Sequence, residues 1–175
     1  SWYAEQPSRM GRHDEAIAAA RRALELDPVS IFSSMLVAWI LYFARRYDEA
    51  IEQANKTLAL DADYATALRI LGWALEEKQR HAEAIEAHRR ACVLTGQRPN
   101  FTAQLGRAYA AAGRQAEARQ ILSDLTATAQ ASYVSAFDIA LIHTALGETG
   151  PALDWLERAY EERADHLPYI RVNPR

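Results

Sequence analysis

A triplet that returns at fixed spacing constrains this chain more than any other feature. Glu15-Ala16-Ile17 comes back as Glu49-Ala50-Ile51, Glu83-Ala84-Ile85 and Glu117-Ala118-Arg119, with a worn copy at Pro151-Ala152-Leu153. Ala16, Ala50, Ala84, Ala118 and Ala152 each lie 34 residues after the last, without an insertion. A strict period of this length, with Ala in the second half of the unit, marks an array of helix–turn–helix units. Such units bury their apolar faces on their neighbours. The 175 residues could be one domain or two by length. The unbroken period argues for one continuous array.

Other positions keep the same phase. Twelve residues before each anchor stand Ala4, Ala38, Gly72, Gly106 and Ala140, all small, each preceded by a large apolar residue: Tyr3, Val37, Leu71, Leu105 and Ile139. Nine before the anchor are Pro7, Leu41, Leu75, Tyr109 and His143. Apolar residues spaced by three and four put one helix face against a neighbour. The small residue lets two helices approach closely. Five before the anchor come Gly11, Arg45, Gln79, Gly113 and Gly147, where glycine suits a helix ending in the left-handed conformation. The second helix repeats Ala23, Thr57, Ala91, Leu125 and Ala159, with Leu24, Leu26, Leu58 and Leu60 along an apolar edge. Asp27-Pro28 and Asp61-Ala62-Asp63 supply turn chemistry between units. The phase predicts helices over 31–44, 47–60, 65–78, 81–94, 99–112, 115–128, 133–146 and 149–162, with a short one at 14–26.

These marks resemble the tetratricopeptide repeat, with its large–small pairs in the first helix, Gly at the inner turn, Ala in the second helix and closing Pro. The resemblance implies an all-α, right-handed α-solenoid of about five repeats, each an antiparallel helix pair. The repeats are drawn at about 1–30, 31–64, 65–98, 99–132 and 133–166, followed by a capping tail over 167–175. Pro7 falls where the first helix should still run, and repeat 4 ends without a proline. Pro151 replaces the usual acidic residue but falls in the first turn of a helix, where a missing N–H costs little. Leu167, Tyr169, Ile170 and Val172 are apolar enough to cover the last repeat, while Pro168 and Pro174 discourage a regular helix there. The segment from Trp155 to Arg163 and on through Tyr169-Ile170-Arg171-Val172-Asn173-Pro174-Arg175, with Tyr133-Val134-Ser135, resembles the closing repeat of bacterial multidomain regulators that join a winged-helix or protein-kinase domain to such repeats. The chain opens and closes within patterned segments, so it is expected to be a piece of a longer protein. Basic residues are nearly all Arg, with Lys56 and Lys78 the only lysines, which fits a GC-rich bacterial genome.

Composition removes several classes of function. A formal net charge of -3 and a pI near 6.0 give no clustered positive face for nucleic acid. No apolar run approaches the length of a membrane span, and no signal peptide opens the sequence. The expected location is therefore cytoplasmic. Cys92 is the only cysteine, which excludes an intramolecular disulfide and a cysteine-based zinc site. It holds a core position in its helix and reads as a small hydrophobe. His81 and His88 are seven apart on one helix, but a metal would need two further ligands that the sequence does not cluster there. Glu76-Glu77 diverge by about 100° on a helix, and Asp61 and Asp63 belong to a turn, so neither forms an acid/base pair. There is no phosphate loop and no nucleophile elbow. No enzyme activity, cofactor or metal is expected.

In the family the first helices line a concave groove, and the resemblance carries that role to particular places. They are Phe32, Met35, Trp39 and Tyr42 in repeat 2, and Arg69, Trp73 and Glu76 in repeat 3. Repeat 4 gives Asn100, Ala103 and Arg107, and repeat 5 gives Phe137 and Leu141. Trp39 and Trp73 stand one period apart, either as groove anchors or packed between helices. Aromatic residues and arginines are the types enriched at binding hot spots. Chaperone-tail receptors of the family hold a terminal carboxylate with Lys and Asn; here those places carry Met35, Trp39, Trp73 and Ala103, so that clamp is largely missing. The expectation is a non-catalytic scaffold for a peptide, a protein or another domain of the same chain. The alternative is an oligomerisation module that self-associates weakly through its terminal repeats.

Overall fold

The computed structural model describes residues 13–162, and these form helices joined by short turns. In chain order they are α1 (His13–Leu26), α2 (Ile31–Phe43), α3 (Tyr47–Leu60), α4 (Ala65–Glu77), α5 (His81–Leu94), α6 (Pro99–Ala111), α7 (Gln115–Thr128), α8 (Ala136–Ala145) and α9 (Thr149–Glu161). No strand occurs among the described residues. The expectations for Tyr3, Ala4, Pro7 and Gly11, for the end of the fifth repeat at 166, and for the tail over 167–175 lie outside them. The described chain divides into two compact units, one ending at Arg80 and one beginning at His81.

In the first unit α2 packs on α1, α3 and α4. It carries no charged residue and is buried over most of its length, from Ser34 to Ala38 and again from Ile40 to Phe43. Its sequence IFSSMLVAWILYF leaves almost no polar side, as expected of a helix covered by neighbours on several sides. Ser30 starts it, with the Oγ accepting from the Ser33 N–H at 3.2 Å. A buried polar knot ties α2 to α3: Ser34 Oγ lies 2.8 Å from Thr57 Oγ1, and Gln53 Nε2 donates to Ser34 Oγ at 2.8 Å. Thr57 also donates to the Gln53 carbonyl at 3.0 Å, so its hydroxyl is satisfied inside the core.

In the second unit α6 contacts α5, α7 and α8, and α8 packs on α9. Gly106 is the point of closest approach. A methyl group added there would stand 2.9 Å from Ile121 Cγ2 on α7 and 3.0 Å from Ile142 Cδ1 on α8. The small residue is thus required by two neighbours at once.

The helix boundaries follow the 34-residue phase to within a residue or so, except at α8. That helix begins at Ala136 rather than at 133. No glycine or proline stands between Leu125 and Ser135 to stop α7 sharply, and its end unwinds through Ala129, Gln130 and Ser132 by turn hydrogen bonds. Val134 is buried in non-helical chain, in a cluster that includes Leu122, Leu125, Ile139 and Ile142. The Ser and β-branched residues of this stretch favour that non-helical entry.

The turn inside each helix pair uses one backbone geometry. Arg45, Gln79, Gly113 and Gly147 have φ of 60°, 59°, 75° and 77°. The next N–H reaches back to the carbonyl five residues earlier: Arg46 to Leu41 at 3.0 Å, Arg80 to Leu75 at 2.9 Å, Arg114 to Tyr109 at 2.8 Å and Glu148 to His143 at 2.9 Å. This is the left-handed helix end with its long return bond. Two non-glycine residues adopt it as well.

Candidate functional site

The groove positions of the first unit come together where α2 meets α4. The Trp39 and Trp73 rings are 5.4 Å apart, and Tyr42 also stands 5.4 Å from Trp73. Phe43 and Tyr47 extend the group, at 5.3 Å from Tyr42 in edge-to-face geometry and at 6.0 Å from Tyr42 respectively. Tilted and edge-on pairs at such distances add to the burial of the rings. The Arg69 guanidinium lies over both indoles, 5.2 Å from the Trp73 ring and 5.9 Å from that of Trp39. This double cation–π contact fixes the charge on α4.

Depth separates these residues. Tyr42, Trp73, Met35 and Glu76 are buried, Trp39 and Arg69 are half-buried, and Phe32 is half-exposed at the start of α2. Trp73 therefore belongs to the core and Trp39 to its edge. Burial raises the Tyr47 phenol above its ordinary range, with Glu77 adding to the effect.

The corresponding places in the second unit are less aromatic. Ala103 and Phe137 are buried, Ala103 beside Leu122, Leu125 and Ile142, and Phe137 among Ala136, Leu141, Trp155, Leu156 and Ala159. Arg107 is buried, whereas Asn100 and Leu141 are half-buried. Gln104 and Asp138, one period apart, are also buried. Their phase is visible in the sequence, and it is the signal that sequence reasoning passed over. The Ser34–Thr57–Gln53 knot has only a weak signal, Thr57 at a place that alanine holds in three other copies.

No part of the described chain gathers reactive groups. Burial pushes the Cys92 thiol up to about 11, so it stays protonated and poorly nucleophilic. Among the described residues no group of three or more His, Cys, Asp or Glu side chains is placed to hold a metal. No helix among them is long and apolar enough to cross a membrane. The carboxylates with displaced pKa values serve helix corners instead. Arg46 binds Glu49 through two bonds of 2.6 and 2.7 Å, Arg21 adds a third at 3.1 Å, and these hold Glu49 below the usual carboxylate range. Glu148 is lowered by His143, whose Nδ1 is 2.7 Å away, and by Arg119.

Two tetratricopeptide repeat models match the sequence, one over residues 37–100 and one over residues 8–30. No curated protein matches the chain in sequence. Solved structures resemble it in fold. A thermophilic tetratricopeptide repeat protein of Thermus thermophilus superposes with a TM-score of 0.74 at 19% identity, covering 97% of this chain and 93% of the other. YrrB, described as a tetratricopeptide repeat protein with an unusual peptide-binding site, gives 0.59 at 20% identity over 97% and 87% of the two chains. MamA gives 0.62 at 23% identity over 91% and 94%. The described residues are therefore all-helical, and the chain carries tetratricopeptide repeats and has the fold class of the tetratricopeptide α-solenoids.

Proposed function

We propose that this chain is a non-catalytic scaffold that binds a peptide or a protein domain on the faces of its first helices. The observation that carries the reading is Arg69 laid over Trp39 and Trp73, with Phe32 exposed on the same helix as Trp39. Aromatic rings and arginines held rigid at a helix face lose little entropy when a partner arrives. In the second unit Asn100, Arg107 and Phe137 hold the equivalent places. YrrB, similar in fold, is described as having a peptide-binding site, which supports the same use of the fold here. The module is read as a regulatory part of a larger bacterial protein, whose partner is another protein or another domain of the same chain.

The test is a peptide-array screen read out by tryptophan fluorescence. Bound peptides should shift the emission, and Phe32→Ala or Trp39→Ala should weaken them by about tenfold or more, as hot-spot residues do, with the helical circular dichroism unchanged. A bound peptide whose affinity ignores both substitutions would overturn the reading.

A further inference from the structure

The turns that join α1 to α2 and α3 to α4 lie at one end of the first unit. Ser34 near the start of α2 bonds Thr57 near the end of α3 at 2.8 Å, so the two helix ends are neighbours. Val29 stands just before α2, Phe32 is its second residue, and Leu60 closes α3. They are 73%, 50% and 46% exposed, with described helices on both sides of each turn. Packing does not call for apolar residues at the first two places. In the next two copies the place of Val29 is held by Asp63 and Gln97, and that of Phe32 by Thr66 and Asn100. Those copies keep the same gap before the helix that follows, 61–64 and 95–98 against 27–30. Large apolar residues gathered at the surface, where the fold does not require them, mark a contact face.

The charges in these turns are of one sign. Asp27 and Asp63 are exposed and Asp61 is half-buried, with its Oδ1 accepting from the Asp63 N–H at 3.0 Å. No Lys or Arg stands between residues 23 and 44 or between 57 and 68. Lys56, one turn before Leu60, pairs with Glu52 at 2.7 Å, and Arg69 lies over the two indoles. The apolar face is therefore rimmed by acids.

We propose that this end of the first unit, Val29, Phe32 and Leu60 within their acidic rim, docks a partner-protein segment whose apolar core is flanked by Lys or Arg. Charge complementarity selects the flanks, and the exposed side chains take the core. A second copy set end to end in the same way would place acids against acids, which is repulsive. The face meets the α2–α4 cluster of the proposed peptide site at Phe32 alone, so its test rests on Val29 and Leu60.

The experiment screens the full chain against an array of peptides that combine varied apolar cores with Lys, Gln or Glu flanks, and titrates the binders. The Lys-flanked form of a bound core should bind at least about tenfold more tightly than the Glu-flanked form, and added salt should weaken it. Val29→Gln with Leu60→Thr uses residues that other copies carry at these places, at 97 and 128. This double variant should weaken the binding by about tenfold or more, with the helical circular dichroism unchanged. Asp27→Asn with Asp61→Asn should remove the preference for Lys over Gln flanks, and Trp39→Ala should leave the binding as it was. No Lys-flanked binder, equal binding of all three flanks, or binding indifferent to the double variant would overturn the proposal. Peptides weakened by Trp39→Ala and not by the double variant would also overturn it, while leaving the α2–α4 reading in place. So would a dimer that the double variant dissociates, since the occupant would then be a second copy.

Discussion

The two units solve the same packing problem with different materials. In the first, rings fill the space between first helices: Trp39, Tyr42 and Trp73 stack between α2 and α4, with Phe43 and Tyr47 beside them. In the second, the helices close up instead, with Gly106 pressed by Ile121 and Ile142, and Ala103, Ala108 and Ala110 buried on the same helix. The inner turns differ in the same way. The first unit places Arg45 and Gln79 in the left-handed conformation, where the second uses Gly113 and Gly147. One repeat phase can thus be met by bulk with backbone strain, or by small residues without it.

The largest effect should come from the ring-filled side. Trp73→Ala removes a side chain that is almost fully buried and packed against Trp39 and Tyr42. A loss of about 3–5 kcal/mol is expected in denaturant melts. Trp39→Ala, at the edge of the cluster, should cost clearly less. Equal losses would show that the two indoles share one depth and that the core-and-edge distinction is wrong.

The close-packed side should respond to added bulk. Gly106→Leu would drive a side chain into Ile121 and Ile142 and cost about 1–3 kcal/mol. Combining it with Ile121→Ala should recover part of that loss, because the new side chain gains the space that the isoleucine gives up. An unchanged melting temperature in the single variant would mean that α6 is not held at close range.

The turns give a pair of opposite signs. Arg45→Gly and Gln79→Gly should each stabilise the first unit, by about 0.5–1 kcal/mol, because glycine takes φ near 60° without the Cβ clash. Gly113→Ala and Gly147→Ala should destabilise the second by a similar amount. No atom lies within 4 Å of a Cβ at either glycine, so the whole cost would be backbone strain. Thermal melts that shift all four variants in one direction would remove the distinction between the two turn types.

Much of this was legible from phase alone. Alanine anchors and small–large pairs located helices through the whole described chain, because each is a packing requirement that recurs with every unit. Depth was less legible. Trp39 and Trp73 occupy the same phase, yet Trp73 is buried, with the Trp39 indole and the Tyr42 phenol against it, while Trp39 is half-buried. That depends on which neighbours a helix happens to have, and no single position encodes it. The late start of α8 was hidden for a similar reason, since Val134 gains its burial from Leu122 and Leu125 on another helix. The glycines of the inner turns were a true signal, but the conformation extends to Arg45 and Gln79, which the helices on either side impose.

The smallest effect expected concerns the charged corners, where the start of α9 departs from those of α3 and α7. At the start of α3, Arg46 binds Glu49 three residues on, and Arg114 binds Glu117 in the same way at the start of α7. At the start of α9 the arginine place is taken by Glu148 and the glutamate place by Pro151, so the local pair is lost. The charge is met from elsewhere, by His143 at the end of α8 and by Arg119 on α7. Glu148 and Glu49 are both held below the ordinary carboxylate value. A group lowered in the folded state contributes stability above its unfolded pKa and loses it as pH falls through the folded one. The carboxylate contribution of both corners should therefore be lost as the pH falls below about 4.5, the unperturbed carboxylate value. Glu148→Gln should cost at most about 1 kcal/mol at neutral pH, as exposed ion pairs do, and the loss should shrink as the pH is lowered. Because Glu148 draws on three helices and Glu49 mainly on one neighbour in its own turn, hydrogen exchange should also speed up at the first amides of α9 in the Glu148 variant. An acid profile identical to that of the unaltered chain, with unchanged exchange there, would reduce this corner to a surface contact of no consequence.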